Sequence, residues 1–135
     1  MRALGVDFGS KRIGIAVGES VHGLASPRPN LAASGTLAKD AIAIKALADR
    51  EEADFVVIGL PTDAEGETRM SRICRKLGEA LVALGTEVAY VDEAHTSAET
   101  ERDMVEAGLK GSDRRAKSDG EAACRILERY FAQET

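Results

Sequence analysis

The sequence has few of the side chains from which stacking sites and soft-metal sites are built. Among its 135 residues there is no tryptophan, and there are two tyrosines, three phenylalanines, two cysteines and two histidines. So few aromatic residues argue against an aromatic platform for successive nucleic-acid bases. Cys74 and Cys124 lie far apart in predicted helices, and this spacing favours small buried residues over a disulfide or a zinc site.

Long apolar runs and an excess of basic residues are also lacking. Because no stretch is apolar enough to cross a membrane and no secretory leader precedes the first strand, we expect a cytoplasmic protein with no membrane partner. The hydrophobic content of 44% predicts that residues 1–135 form one domain with a proper core. A net charge of −5 argues mildly against nucleic-acid binding. That charge misleads, however, when acidic side chains hold divalent cations and basic ones are segregated elsewhere.

The opening segment is unusual, because two apolar runs lie on either side of Gly9-Ser10. Short runs of β-branched residues around a tight turn predict a β-hairpin. Asp7 ends the first run, on a strand predicted to be buried on both faces, where an unpaired charge is costly. One interpretation is turn chemistry, since Asp commonly precedes glycine in turns. Because Asp7 lies inside the apolar run, we favour a functional carboxylate whose partner is a metal ion or a phosphate-bound metal.

The rest of the chain alternates strands and helices. In order, the patterns predict a short edge strand near Pro27, a helix from Thr36 to about Glu52, a strand at 55–60 stopped by Pro61, a helix at 67–84, a strand at 87–91, a helix from Thr96 to Gly108, a loop at 109–118 and a final helix capped by Ser118. This order predicts an α/β fold with a five-stranded mixed sheet, three antiparallel N-terminal strands plus parallel strands, and helices on both faces.

Three acids from distant segments, Asp7, Glu93 and Asp119, converge in this arrangement. The first two follow parallel strands, at the edge of the sheet where ligands gather. Asp119 lies on the apolar face of the last helix. The alternative is a first-turn acid that complements the helix dipole, since Ser118 and Glu121 form a capping box. Oxygen ligands suit Mg²⁺ or Mn²⁺, and two such ions can clamp an in-line displacement at phosphorus.

Basic residues are concentrated in three places: the turn of the first hairpin, one face of the helix at 67–84, and the segment before Asp119. On the helix this stripe is equally well explained as a solvated face. The candidates for binding backbone phosphates are Lys11, Arg12, Arg69, Arg72, Arg75, Lys76, Arg114, Arg115 and Lys117.

The run from Asp7 to Val17 resembles the opening motif of the YqgF/RuvX family of nucleases, which have a ribonuclease H-like fold. Further similar segments are Gly59-Leu60-Pro61, Asp92-Glu93 with Thr96-Ser97, and Lys117 with Asp119, Ala122-Ala123 and Ile126-Leu127. The resemblance implies a metal-dependent endonuclease with Asp7, Glu93 and Asp119 as its catalytic, metal-binding carboxylates.

The resemblance also implies one of two substrates. These are four-way DNA junctions, which we favour on the sequence alone, and the precursor of small-subunit ribosomal RNA. Resolving a junction needs two symmetric cuts and hence a homodimer, whereas trimming RNA does not. One departure is that Ala94 and His95 stand where the family usually has an arginine, which puts substrate affinity or the geometry of that loop in doubt.

Two hypotheses from other classes remain. The Asp-x-Gly-Ser core of the hairpin is similar to the phosphate-binding hairpin of actin-like and sugar-kinase ATPases, but those folds need a second related domain. A non-catalytic nucleic-acid adaptor has no need of a costly acidic cluster. Tight ATP binding would favour the first of these, and unchanged function in Asp7→Asn the second.

Overall fold

The computed structural model of the protein describes residues 1–93 and 111–133, with side chains for 1–93 and 119–133. The elements are β1 (Arg2–Phe8), β2 (Arg12–Glu19), β3 (Leu24–Ala32), α1 (Leu37–Arg50), β4 (Phe55–Asp63), β5 (Gly66–Glu67), α2 (Arg69–Ala83), β6 (Val88–Glu93) and α3 (Gly111–Gln133). No helix in these two ranges is both long and apolar enough to span a membrane. The helix predicted from Thr96 to Gly108 lies outside the described residues.

The strands form a mixed sheet in the order β3-β2-β1-β4, with β6 on the far side of β4. β1 and β2 form the predicted antiparallel hairpin, and β3 continues it as an antiparallel edge strand. β1, β4 and β6 run parallel to one another. The predicted α/β sheet, with three antiparallel N-terminal strands followed by parallel ones, is therefore confirmed.

Two strands are longer than predicted. β3 has nine residues and includes both Pro27 and Pro29, which the outer strand of a sheet tolerates because no neighbour needs their missing N–H groups. β4 does not stop at Pro61 but runs to Asp63 and pairs there with β5, a sixth strand of two residues. Gly66, at a φ of 109°, allows the tight turn between them.

The alternation of side chains along the strands divides the core into two layers. One layer packs the sheet against α1 and α2 and includes Leu4, Ile44 and Leu77, all fully buried. The other packs it against α3 and includes Ala3 and Leu127. The prediction of helices on both faces is confirmed, and α3 covers one of them.

The helix ends follow local capping chemistry only in part. α1 begins after Thr36 as predicted, although the Thr36 side chain makes no capping bond. α2 begins at Arg69 rather than at 67, because Thr68 and Ser71 form a capping box. In this box Thr68 Oγ1 accepts from Ser71 N at 3.2 Å and Ser71 Oγ accepts from Thr68 N at 2.8 Å.

α3 begins at Gly111, well before the predicted start at Ser118. The loop predicted at 109–118 is therefore wrong from Gly111 onward. The segment Arg114–Lys117 contains only strong helix formers, and this propensity outweighs the local capping pattern around Ser118. Asp119 consequently lies inside α3, so its alternative role as a first-turn acid is also wrong.

Candidate active site

Asp7 lies at the carboxyl end of β1, on the face of the sheet covered by α3. Ala3 packs into the α3 layer, and a Cβ on Gly5 would touch Leu127 of α3, so strand alternation puts Asp7 on the same face. Burial and, to a smaller extent, the neighbouring charge of Asp119 together raise the pKa of Asp7 to about 6. A pKa raised in this way means that the surrounding structure disfavours the charged form of the carboxyl group.

Glu93 lies at the carboxyl end of β6, in register with Pro61 of β4. It is 8% exposed, and burial together with the charge of Asp7 raises its pKa to about 8, with a smaller opposing effect of Arg129. β4 separates β1 from β6, and all three strands run in one direction. The two acids therefore face one another across the end of β4.

Asp119 reaches the same edge from α3. Its Oδ2 accepts a hydrogen bond from Arg12 Nε at 2.6 Å and another from Asn30 Nδ2 at 3.2 Å. Arg12 begins β2 and Asn30 lies in β3, so these two antiparallel strands hold the carboxylate in place. Charge-assisted bonds of this kind fix both the position and the rotamer of the acceptor.

Two glycines make room for these acids. A Cβ on Gly14 would collide with the backbone oxygen of Asp119. A Cβ on Gly59 would lie 2.7 Å from Glu93 Oε2 and 2.5 Å from Ile126 Cδ1, closer than real Cβ contacts. Glycine at these two positions allows α3 and the Glu93 carboxylate to approach the sheet.

The acids form a chain of electrostatic neighbours rather than a closed cluster. Asp7 interacts with Asp119 on one side and with Glu93 on the other. Within 1–93 and 119–133, no three His, Cys, Asp or Glu side chains are grouped closely enough to ligate one ion. The predicted triad therefore shares an edge of the sheet, with Asp119 turned toward Arg12 and Asn30.

The donor chemistry of this edge fits a hard divalent cation. All three predicted ligands are carboxylates, which Mg²⁺ and Mn²⁺ prefer. Asn30 Oδ1 adds a buried oxygen that has no hydrogen-bond partner among the described residues, and an unpaired buried acceptor is unusual. A cation at this edge would also favour the charged forms of Asp7 and Glu93, which burial and neighbouring acids disfavour.

Two residues at this edge were not predicted from the sequence. Asn30 bonds to Asp119, and Arg129 Nη1 donates to the backbone oxygen of Asp92 at 2.8 Å. Asn30 lies in an edge strand whose pattern carries no sign of a site, and Arg129 reads as one more polar residue of an amphipathic helix. Both residues bond to partners that are distant in the sequence, and local sequence patterns do not predict such contacts.

Cys74 lies close enough to the acids to be influenced by them. Burial raises the pKa of its thiol to about 12, with further contributions from the charges of Asp7 and Glu93. Cys74 and Cys124 are both buried and free of disulfides, as predicted. With its pKa this high, the Cys74 thiol stays protonated at neutral pH.

The predicted phosphate-binding residues fall into different surroundings. Arg12 is bonded to Asp119, while Arg75 binds Glu67 through Nε at 2.6 Å and Nη2 at 3.0 Å and lies over the ring of Tyr90. Lys11 in the hairpin turn is exposed, and so are the other basic residues of α2, namely Arg69, Arg72 and Lys76. Ala94 and His95, together with the side chains of Arg114, Arg115 and Lys117, lie outside what the structure describes.

Comparison with known proteins shows the family to which this chain belongs. Residues 1–133 match the model of the RuvX family, which is described as Holliday junction resolvase. The chain belongs to the RuvX family. The predicted resemblance is thus confirmed, and RuvX membership makes the chain a nuclease, a hydrolase of phosphodiester bonds.

Relatives within the RuvX family match along nearly their whole length. A protein of Methylobacillus flagellatus is 35% identical over 130 residues, which cover 95% of this chain and 88% of that protein. A protein of Chromohalobacter salexigens is 38% identical over 134 residues, which cover 98% and 90%. Both are provisionally named pre-16S rRNA nuclease.

Solved structures show the same fold as this RuvX chain. RuvC of T. thermophilus in complex with a Holliday junction substrate aligns with a TM-score of 0.53 at 14% identity, covering 99% of this chain and 95% of that one. The fowlpox virus Holliday junction resolvase aligns with a TM-score of 0.52 at 12% identity, covering 100% of both chains. At these identities the likeness shows the fold alone, which is the ribonuclease H-like fold expected from the sequence.

Proposed function

We propose that this chain is a metal-dependent endonuclease in which Asp7, Glu93 and Asp119 bind Mg²⁺ or Mn²⁺, with two ions in the active form. The observation that carries the proposal is the position of Asp7 between the other two acids. Burial raises the pKa of Asp7 and of Glu93, and the charges of Asp119 on Asp7 and of Asp7 on Glu93 add to the effect. Buried carboxylates that repel one another are stabilised by cations. RuvX membership supports the hydrolysis of phosphodiester bonds.

The chain's own residues orient this chemistry. When bound, the ions would supply an activated water and would stabilise the leaving oxygen. Arg12 and Asn30 keep Asp119 at the edge through its Oδ2. Arg129 ties the end of β6 to α3 next to Glu93. The exposed Lys11, one residue before Arg12 at the hairpin turn, is a candidate to hold a phosphate of the substrate strand.

As substrate we propose first the precursor of 16S ribosomal RNA. Relatives with identities between 33% and 38% are provisionally named for it. This reverses the order that we favoured from the sequence alone. The four-way DNA junction stays the second candidate, supported by the description of the family model and by the two resolvase structures of the same fold. Both nucleic acids belong to the cytoplasm, where we expect the protein to act.

The two substrates differ in the assembly that they require. A resolvase cuts two strands symmetrically and therefore needs a twofold homodimer, whereas a nuclease that trims an RNA end works as a single chain. We attach the predicted homodimer to the junction activity only. The oligomeric state in solution is thus an independent readout of the substrate.

The decisive experiment compares two substrates under one set of conditions. An RNA that spans the 5′ end of 16S rRNA in its precursor and a synthetic four-way DNA junction are each incubated with the protein in Mg²⁺ and in Mn²⁺. We expect cleavage of the RNA in the presence of either ion and no cleavage in EDTA. Paired symmetric nicks on the junction alone would instead establish a resolvase.

The control variants change one carboxylate at a time. Asp7→Asn removes the central acid, and Asp49→Asn makes the same change on α1, where the side chain is 66% exposed and pairs with Lys45. We expect Asp49→Asn to cleave like the unmodified protein and Asp7→Asn to bind RNA without cleaving it. Full cleavage by Asp7→Asn would overturn the assignment of the metal-binding acids.

A further inference from the structure

A pocket of about 360 Å³ lies beside the candidate active site, on the other face of the sheet. Its walls come from β1 and the following turn, from the connection into α1, and from α2. Its lining includes Phe8, Ser10, Ala33, Asp40, Ile73 and Lys76.

The pocket and the acids are joined by the end of β1. Phe8 directly follows Asp7, and consecutive strand residues point to opposite faces of a sheet. Phe8 accordingly packs against the α1 and α2 layer, while Asp7 faces α3. Ser10 lies in the hairpin turn between the two faces. A substrate strand with a phosphate at Asp7 has to cross only this turn to reach the pocket.

The lining suits a flat heteroaromatic group with polar edges. Phe8 and Ile73 are half-buried and provide apolar walls. Ser10 contributes a hydroxyl group, and the Asp40 carboxylate, with Asp40 2% exposed, accepts a hydrogen bond from Ser34 N at 2.8 Å through Oδ1. Unstacked bases are bound in this way, by an aromatic or apolar surface together with hydrogen bonds to the base edge.

The charge around the pocket also favours nucleic acid. Lys76 lies on its rim, and the exposed Arg69 and Arg72 precede Lys76 on α2 at helical spacing. None of these three has an ion-pair partner within 1–93 and 119–133. Cations without such partners are available to the phosphates that flank a bound base.

A second, larger cavity provides the contrast. It measures about 580 Å³ and is lined by residues such as Phe55, Glu87 and Tyr130. Phe55 and Glu87 lie at and just before the amino ends of β4 and β6, so this cavity is far from the acids along the strands. Among the described residues, those that line it include the Glu87 carboxylate and no lysine or arginine, whereas Lys76 lines the smaller pocket. Size alone therefore does not select the site, whereas charge and position do.

We propose that the pocket bounded by Phe8, Ser10, Asp40 and Ile73 binds one unpaired nucleobase of the substrate strand, close to the phosphate that is cut. This inference rests on the proposed nuclease function and narrows its substrate to strands with an accessible base. A base in continuous duplex stays stacked and paired and does not reach the pocket. The scarcity of aromatic residues excludes a long stacking platform, but one pocket needs a single ring.

The test measures binding to a single-stranded RNA in which one abasic nucleotide is moved along the sequence. Asp7→Asn protein is used in Mg²⁺, so that cleavage does not interfere, and the dissociation constant is followed by fluorescence anisotropy. We expect an abasic residue at one position to weaken binding about tenfold, with little effect elsewhere. Equal binding at every abasic position would overturn the proposal.

Two variants assign the effect to this pocket. Ala33→Trp fills it, and Ala46→Trp, on an exposed position of α1, is the matched control. We expect Ala33→Trp to bind intact RNA as weakly as the abasic RNA, and Ala46→Trp to keep the difference. If Ala33→Trp does not fold, Ile73→Ala replaces it and should weaken binding of intact RNA only. Equal weakening of intact and abasic RNA by the pocket variant would contradict the assignment.

The outcomes separate this proposal from the proposed function. Base-dependent binding by a protein that never cleaves would keep the pocket and remove the nuclease assignment of the acids. Cleavage by unmodified protein with no base dependence would do the reverse. A fully paired duplex of the same sequence should be insensitive to Ala33→Trp, and sensitivity there would contradict recognition of an unpaired base.

Discussion

The two ends of the parallel strands treat acidic residues in opposite ways. At the amino end, Glu51 forms ion pairs with Arg2 at 3.1 Å and with Arg28 at 3.0 Å. The hydrogen bond from Arg28 makes the largest contribution to lowering the pKa of Glu51, and Arg2 lowers it further. At the carboxyl end, burial and neighbouring acids raise the pKa of Asp7 and Glu93. Paired acids support the fold, whereas buried acids that repel one another cost stability, which is typical of functional sites.

The largest effect is expected when the charge of an acid at the carboxyl end is removed. Asp7→Asn should lower the rate of cleavage by at least about a hundredfold, because an ion ligand supplies several kcal/mol of transition-state stabilisation. The same change should raise the free energy of unfolding in EDTA at pH 8, since it removes a desolvated charge. Single-turnover cleavage and urea unfolding measure the two effects. A variant that loses both activity and stability would show that Asp7 is a structural acid.

The pH dependence of stability should also differ between the ends. The pKa of Asp7 rises from 3.8 to about 6 and that of Glu93 from 4.5 to about 8. Between pH 4 and 8 these two groups bind more protons in the folded protein than in the unfolded chain, so their contribution to stability in EDTA falls as the pH rises through this range. For Asp7 alone, the pKa shift corresponds to a loss of about 3 kcal/mol in the free energy of unfolding across this pH range.

Mg²⁺ sharpens this second prediction. Because the ion binds the charged carboxylates, it should raise the melting temperature more at pH 8 than at pH 5. Glu51 behaves in the opposite sense, because its pKa is lowered in the folded protein. Its contribution to stability is present above the pKa of the unfolded chain and is lost on acidification. Melting curves in EDTA and in Mg²⁺ from pH 5 to 8 measure the first effect, and melting curves in EDTA below pH 4.5 measure the second. A melting temperature in EDTA that rises steadily from pH 5 to 8 would contradict the prediction.

Asn30 tests how far the support of Asp119 matters. Asn30→Ala removes one of the two hydrogen bonds to Asp119 Oδ2, and we expect kcat to fall by about tenfold with a small change in KM, as when outer-shell partners of metal ligands are removed. The Mg²⁺ concentration for half-maximal activity should rise. Asn30→Gln, which keeps the amide, should recover part of the activity. Normal metal dependence in Asn30→Ala would show that Arg12 suffices.

The smallest effect is expected at the amino end. Glu51→Gln leaves Arg2 and Arg28 without their shared carboxylate and should lower the free energy of unfolding by about 1 kcal/mol, as for a partly exposed ion pair. Cleavage should stay unchanged, because this network lies at the opposite end of β1. Urea unfolding beside a cleavage assay measures both quantities. Loss of cleavage in a folded Glu51→Gln protein would remove the distinction between the two ends.

Much of the fold was predictable because it rests on local patterns. The hairpin follows from β-branched runs around Gly9-Ser10, and the convergence of Asp7 and Glu93 follows from the rule that parallel strands end at one edge. Where the prediction is wrong, two signals compete. At Pro61 the neighbouring strands sustain pairing, and before Ser118 helix propensity overrides a capping pattern.

The detail of the site was less predictable, because it depends on contacts between distant residues. Arg12 and Asp119 are 107 residues apart and Asn30 and Asp119 are 89 apart. Gly14 and Gly59 resemble ordinary strand glycines until α3 and Glu93 are placed against them. No window of a single sequence reports such pairs.

The bond between Arg12 and Asp119 also has a consequence for when the protein becomes active. Closing a loop of 107 residues is among the slower events in folding a chain of this kind. During synthesis the first hairpin, which carries Asp7, leaves the ribosome long before α3 does. A nascent chain therefore lacks Asp119 and the cover that α3 provides, so under the proposed function it should stay inactive until α3 has docked.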